Sequence, residues 1–328
     1  MKAILVTGAN TAIGQELIDR LLKDARVTHV LAVSGEAELD GERSSPRLSY
    51  LKADLTRARQ VHDLLFGPAR DRNIEVVVHL GQVEDPHQRG RRVHLANVEA
   101  VRSILDLSDR HPTIRRLILK SYAVVYRVRN DLPTLVTEEH PLNLSSQAPQ
   151  YVRDRVEADL TAGTRMGLVD AEIVVLRCAE ALAKNTGSQL YDFLEGPVAF
   201  RPAGFDPMLN VANCADLVRA FELAIHGSGE GVFNIPGYDT LPLSETIHKW
   251  GRRSVPLPGP LIRPLYQMRH LVSGSSFEYG LNRHRMHLGL VLDGTRAKSI
   301  LGYEPKHPID WPVGGPVTLS PPLDPPLT

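Results

Sequence analysis

Apolar residues recur along the chain in two alternating patterns. Short unbroken runs at Ala3 to Thr7, Val27 to Val33, Leu48 to Lys52, Val76 to Leu80, Leu117 to Leu119 and Ile173 to Leu176 are separated by longer stretches of mixed polarity. In those stretches apolar positions return every three or four residues, as at Ile13, Leu17 and Leu21, and again within Val93 to Arg110 and Tyr151 to Met166. Continuous apolar strands alternating with amphipathic helices predict a parallel sheet covered on both faces. The expected fold class is α/β, a doubly wound Rossmann-like sheet.

Past about residue 180 the alternation decays, and Pro and Gly become frequent in 195–204 and 256–260. The expected organisation is a sheet domain over 1–178 and a smaller, less regular lobe over 179–311. Residues 205–235 should return to the main sheet through the run Gly231 to Ile235. Six prolines between Pro312 and Thr328 predict an extended tail over 312–328.

Composition narrows the function classes. The 38 Lys plus Arg balance 38 Asp plus Glu, which argues against a nucleic-acid binder, and 42% hydrophobic residues exclude a mainly disordered chain. Cys178 and Cys214 are the only cysteines, too few for a disulfide framework or a four-thiolate zinc site, so a reducing compartment is expected. No apolar run approaches the roughly 18 residues of a membrane span, and the N-terminus enters a strand without a signal-peptide pattern. The expected location is the cytoplasm.

The first candidate chemistry lies in Thr7-Gly8-Ala9-Asn10-Thr11-Ala12-Ile13-Gly14, between a strand and a helix. Glycines there permit a tight turn, and the helix N-terminus offers unpaired N–H groups to a pyrophosphate. Further stations follow in order: Asp54-Leu55 after the third strand, His79-Leu80-Gly81 ending the fourth, Asn97 within Val93 to Val98, Ser121 to Tyr126, Tyr151 to Arg155, Asn210 to Ala220, and Leu292 to Pro305. Together these resemble the extended short-chain dehydrogenase/reductases, the NAD-dependent epimerase/dehydratase family, over about residues 1 to 312.

That resemblance implies a dinucleotide, NAD or NADP, on Gly8, Asn10, Thr11, Ile13, Gly14, Ser34, Asp54, Leu55, Leu80, Gly81 and Asn97. It implies a Tyr151 acid or base, a cation at Arg155 that lowers the phenol pKa, and a substrate-orienting hydroxyl at Ser121 or Tyr122. The activity implied is that of an oxidoreductase or epimerase/dehydratase acting on a hydroxyl or carbonyl substrate such as a nucleotide sugar. A homodimer through the helices containing Val93 to Arg110 and Tyr151 to Met166 is implied as well.

Four departures stand at these stations. Thr11 replaces the central glycine of the family's turn, and Ser34 ends the second strand where an acid would bind the ribose, with Glu36 as its substitute. Tyr122, by spacing from Tyr126, takes the hydroxyl position, which a one-residue adjustment would give to Ser121. Arg155 replaces a lysine, and a planar guanidinium is not equivalent to a compact ammonium. The alternative expectation is a catalytically silent NAD(P)-binding sensor or scaffold of the same fold.

Other features carry simpler readings. Arg89 to Arg92 reads as a solvated basic run, and His284 with His287 lacks a third ligand, so no metal is assigned. Lys249 to Lys298 holds nine Lys or Arg against Glu278 and Asp293, which points to an anionic small-molecule substrate at the second lobe. Leu257 to Val272 has apolar residues near helical spacing with arginines interspersed, an interfacial or partner-binding pattern, although Pro260 and Pro264 argue against a long regular helix.

Overall fold

The computed structural model describes residues 1–41 and 43–313. The first half alternates as the apolar pattern demands: β1 (Lys2–Thr7), α1 (Ala12–Lys23), β2 (Val27–Ser34), β3 (Leu48–Lys52), α2 (Ala58–Leu64), β4 (Val76–His79), α3 (Arg91–His94), α4 (Ala100–Ser108) and β5 (Arg116–Tyr122). A widened π-type turn at Leu95–Glu99 joins α3 to α4, so the two form one bent helix around Asn97. The short β6 (Leu135–Val136), α5 (Gln150–Gly163) and β7 (Glu172–Cys178) follow.

Seven strands make the main sheet, with β11 (Gly231–Ile235) at one edge, in the order β11–β7–β5–β4–β1–β2–β3 and with every neighbouring pair parallel. Alternate residues of each strand enter opposite cores: Ile4 and Val6 pack with Ile13, Leu17 and Leu21 of α1 and with Phe221, whereas Leu5 packs with Val61, Ile104 and Ala158 on the other face. This is the predicted doubly wound sheet.

The second half runs β8 (Glu180–Ala181), α6 (Gln189–Glu195), β9 (Val198–Pro202), β10 (Met208–Ala212), α7 (Cys214–His226), β11 (Gly231–Ile235), β12 (Asp239–Pro242), α8 (Leu243–Lys249), β13 (Arg253–Leu257), α9 (Gly259–Ser273), α10 (Tyr279–Leu288) and β14 (Val291–Leu292). The lobe has its own core around Phe193, Ile247, Ile262, Tyr266, Phe277 and Trp311.

Two expectations change here. Within 205–235, α7 packs on the main sheet and β11 joins it, but β10 pairs with β8 and β12 in a separate three-stranded sheet. And α9 is an unbroken helix despite its prolines. Pro260 occupies the first turn, where a missing N–H costs nothing, and Pro264, which lies inside the helix, is exposed. Residues 314–328, most of the expected tail, lie outside the described residues.

One buried polar network ties β5, β7 and α5 together. Arg177 donates to both oxygens of Asp159, at 2.6 and 3.0 Å, and to the Tyr126 hydroxyl at 3.0 Å. Ser121 Oγ donates to the same Asp159 carboxylate at 2.6 Å. Breaking a buried ion pair from one side strands the other charge. Asp159→Ala is therefore expected to lower the unfolding free energy by about 3–5 kcal/mol in urea titration, and a loss below about 1 kcal/mol would contradict the network's structural role.

Candidate functional site

After β1 the chain proceeds to β2 and β3 on one side, and then returns to β4 on the other, so the carboxyl ends of β1 and β4 form the switch point of the sheet. A cleft of about 940 Å3 opens there. Gly8, with φ of 70°, passes so near the end of β4 that a Cβ on it would stand 2.7 Å from the Gly81 nitrogen. Close approach of two backbones is what requires glycine at this point. The same strand ends are tied by Thr7 Oγ1 and His79 Nδ1, 2.7 Å apart and buried.

Thr11 closes the turn. Its hydroxyl donates to the Gly8 carbonyl at 2.8 Å and accepts the Gly14 N–H at 3.1 Å, making it the N-cap of α1. The Ala12 N–H meets the Asn185 carbonyl at 3.4 Å. Two donors of the first helical turn are thus occupied by the protein itself. The Thr11 backbone is extended, so the side chain is accommodated without strain.

At the opposite end, Ser34, Gly35, Glu36, Asp54 and Leu55 line the cleft. The Ser34 hydroxyl donates to the Glu36 carboxylate and lies 3.0 Å from the Tyr50 hydroxyl, which donates to the Glu36 carbonyl at 2.8 Å. These contacts fold Glu36 back over the end of β2, so an acid reaches that place from two residues further along. The Thr56 hydroxyl, bonded to Asp54 at 2.6 Å, together with Arg57 holds the Asp54 carboxyl below its usual pKa despite partial burial.

The remaining predicted residues divide sharply. Asn10, Gly81, Gly8 and Thr11 face the cleft, whereas the Ile13 and Leu80 side chains lie in the core and Gly14 packs against the Gly8 carbonyl. Asn97 is fully buried and accepts the Val83 N–H at 2.8 Å, so it braces the loop after β4 from behind.

Tyr151 and Arg155 share a face of α5, but they are not an open pair. The Arg155 side chain is inserted between two aromatic rings, its guanidinium carbon 3.4 Å from the Tyr151 ring centre and 4.5 Å from that of Tyr122. It donates to the Tyr151 carbonyl at 3.1 Å and to the Val83 carbonyl at 3.0 Å, and it is 1% exposed. Tyr151 is 6% exposed, with its hydroxyl 3.4 Å from the Gly187 carbonyl. Burial raises the phenol's pKa, and the nearby Arg155 charge offsets that only in part. Ser121 faces Asp159 on the far side of β5, which leaves Tyr122 on the site's side.

Sequence reasoning missed Lys120. It precedes Tyr122 by two residues and therefore shares its face of β5, a period-two signal that was available. Its ammonium sits 4.6 Å from the Tyr122 ring centre and 3.7 Å from Glu84, and its side chain is buried. Burial opposes its charge, yet Tyr122 and Glu84 carry its pKa above the ordinary lysine value. Also missed was the loop at Asn185 and Gly187, where a Cβ on Gly187 would collide with the Glu84 side chain at 2.9 Å.

A second cleft, of about 630 Å3, opens beside Ala123, Val124 and Val152, with Arg127, His284 and Arg285 among its walls. Tyr122, Tyr151 and Arg155 line neither cleft.

The model of the NAD dependent epimerase/dehydratase family matches residues 4–189, more than half of the chain. The chain belongs to that family. Its relatives include uncharacterized proteins of Mycobacterium tuberculosis and Mycobacterium bovis, 28% identical over 317 residues that span 93% of this chain and 80% of theirs. Similar folds occur in a Bacillus cereus UDP-glucuronic acid 4-epimerase solved with UDP-glucuronic acid and NAD (TM-score 0.69, 16% identity, 93% and 94% coverage). A Bacillus anthracis dTDP-glucose 4,6-dehydratase in complex with NAD is similar too (TM-score 0.67, 17% identity, 94% and 92% coverage). At such identities the likeness establishes the family fold. Among the described residues no helix is long and apolar enough to cross a membrane.

His79 offers a pH test of this assembly. Complete burial lowers its pKa from 6.5 to about 4. The folded state therefore resists a proton that the unfolded chain accepts, so its stabilising contribution is full above pH 6.5 and is lost as pH falls toward 4. Between pH 8 and pH 5 the wild type should lose about 2 kcal/mol that His79→Gln does not lose, measured by urea unfolding at each pH. Parallel curves for the two proteins would show that His79 does not titrate in this way.

Proposed function

We propose that the protein binds an NAD-type dinucleotide in the switch-point cleft and is silent in hydride transfer, a nucleotide-binding member of an enzyme family. The observation that carries this reading is the insertion of Arg155 between Tyr151 and Tyr122. The residues at the adenosine end fit the cofactor: Asp54, its carboxyl held below the usual pKa, suits an exocyclic amine, the Glu36 side chain suits ribose hydroxyls, and Gly8 and Gly35 keep the backbone open. The residues at the nicotinamide end do not fit it. Two of the guanidinium's nitrogens donate to backbone carbonyls while its Nε is left without a partner among the described residues, the Tyr151 hydroxyl points to Gly187, and both side chains are buried. The similar structures that hold NAD support the choice of cofactor class.

A second reading keeps catalysis, as an epimerase, dehydratase or reductase on a nucleotide-sugar class of substrate. It is favoured by Lys120, whose ammonium lies beside Tyr122 at the family's hydroxyl position and could supply the charge that Arg155 withholds. Similar enzymes solved with UDP-sugars support the substrate class.

Calorimetry separates the two. If affinity resides in the adenosine half, NAD and ADP-ribose bind within about threefold of one another. NADP binds about tenfold more weakly because its 2′-phosphate meets Glu36, and Glu36→Gln narrows that gap. A preference for NAD over ADP-ribose of about a hundredfold or more would show an engaged nicotinamide and sink the silent reading. So would sugar-nucleotide turnover that disappears in Lys120→Met.

A further inference from the structure

The loop that follows β4 reads Glu84-Asp-Pro-His-Gln-Arg-Gly90, and it meets the second lobe through His87. Both ends of the loop are anchored by amide hydrogen bonds that do not titrate. Asn97 Oδ1 accepts the Val83 N–H at 2.8 Å, and the Gln150 side chain closes a reciprocal pair with the Gly90 backbone, at 2.9 and 3.0 Å. Between these anchors Asp85 folds back on the loop and accepts the His87 N–H at 2.9 Å. The His87 ring then lies on that of His270 in α9, with ring centres 3.8 Å apart and 20° between the planes.

The neighbours of the two rings decide how many protons the pair can hold. His270 Nδ1 lies 2.8 Å from the Ser275 carbonyl, which can only accept, so the neutral ring carries its proton there. His87 Nδ1 is 3.9 Å from Glu278, the N-cap of α10, and its Nε2 is buried without a partner among the described residues. Burial and the His270 ring hold His87 below the ordinary histidine value, while Asp85 and Glu278 draw it back up. One additional proton on the pair is thus tolerated.

A second is not, because two imidazolium rings 3.8 Å apart repel in a half-buried seam. Arg89 on the same loop adds a like charge, and Arg269 of α9 turns its guanidinium to the carbonyls of Asp192 and Phe193. The other acids nearby are already engaged: Glu84 lies 3.7 Å from Lys120, and Glu180 pairs with Arg285. Asp192 of α6, whose carboxyl feels Asp85, is pushed up to about 7 by burial and by Glu180 and Glu195. It is therefore largely neutral where the second imidazole would charge.

We propose that His87 and His270 form an acid-released latch on the wall of the switch-point cleft. While the pair carries no more than one additional proton, the stack holds residues 84–89 against α9 and keeps the wall formed by Gln82, Val83 and Glu84 in place. The second proton parts the rings and frees the middle of the loop between its two anchors. The latch acts on the loop whatever the cleft binds.

Hydrogen–deuterium exchange of the full chain, from about pH 7.5 to about pH 5 and corrected for the intrinsic pH dependence of exchange, reads the loop directly. Protection of residues 84–89 should fall at least about tenfold across that range. His270→Phe keeps a stacking ring that cannot be charged, so its loop should stay protected to within about twofold. Proton NMR of the wild type needs no variant: the ring protons of His87 and His270 should titrate in two steps more than about one pH unit apart. Unchanged protection in the wild type, or an equal fall in His270→Phe, overturns the proposal. So does titration of the two rings as independent groups near the reference value of about 6.5.

Discussion

A buried guanidinium with no carboxylate partner among the described residues organises the centre of this protein. Arginine keeps its charge at any ordinary pH, so removing it from water costs several kcal/mol unless other groups replace the solvent. Around Arg155 the replacements are two aromatic faces and two carbonyls, those of Tyr151 and Val83. The Tyr122 ring is one of the two faces that cover the cation. A serine in place of Tyr122 could not roof a planar cation. Tyr122 and Arg155 form one arrangement, and a lysine, compact and strongly hydrated, would not be held in it by stacking.

The same closure extends along the cleft. Asn185, at φ of 58°, turns its carbonyl to the first turn of α1, and Gly187 carries the loop past Glu84 to the Tyr151 hydroxyl. Thr11 finishes the helix end from within. Three elements far apart in sequence thus meet at the first turn of α1 and at Tyr151, although the Tyr122 hydroxyl and Arg155 Nε stay buried without a hydrogen-bond partner among the described residues. At the adenosine end nothing comparable occurs, because the Ser34, Tyr50 and Glu36 contacts shape an open acidic edge rather than a lid.

The fold was legible because strand burial on two faces and helix burial on one leave different periods, and both survive in the first 178 residues. The site was legible only as positions. Spacing of four put Tyr151 and Arg155 on one face of a helix, which holds, but the direction of a long side chain depends on what roofs it. Ser121 and Tyr122 could have been separated by strand alternation: Ser121 turns to Asp159, whereas Lys120 and Tyr122 share the other face of β5, where the Tyr122 ring meets Arg155. The small sheet holding β10 left no such trace, since its strands are short and its partners distant.

Charge was the least legible quantity, and the nine cations between Lys249 and Lys298 show why. Arg285 and Lys298 pair with Glu180 and Glu304, Arg296 with Glu138 and Glu139, and Lys249 lies 3.9 Å from Glu245. Arg252 and Arg269 donate to backbone carbonyls of α6. A local excess in sequence therefore counts many charges whose fields are already matched at close range. What reaches solvent is set by the few left over, Arg253, Arg263 and Arg283, and two of these lie on α9 or on the strand leading into it. The positive wall of the second cleft owes as much to Arg127, in the loop after β5, as to the basic segment itself.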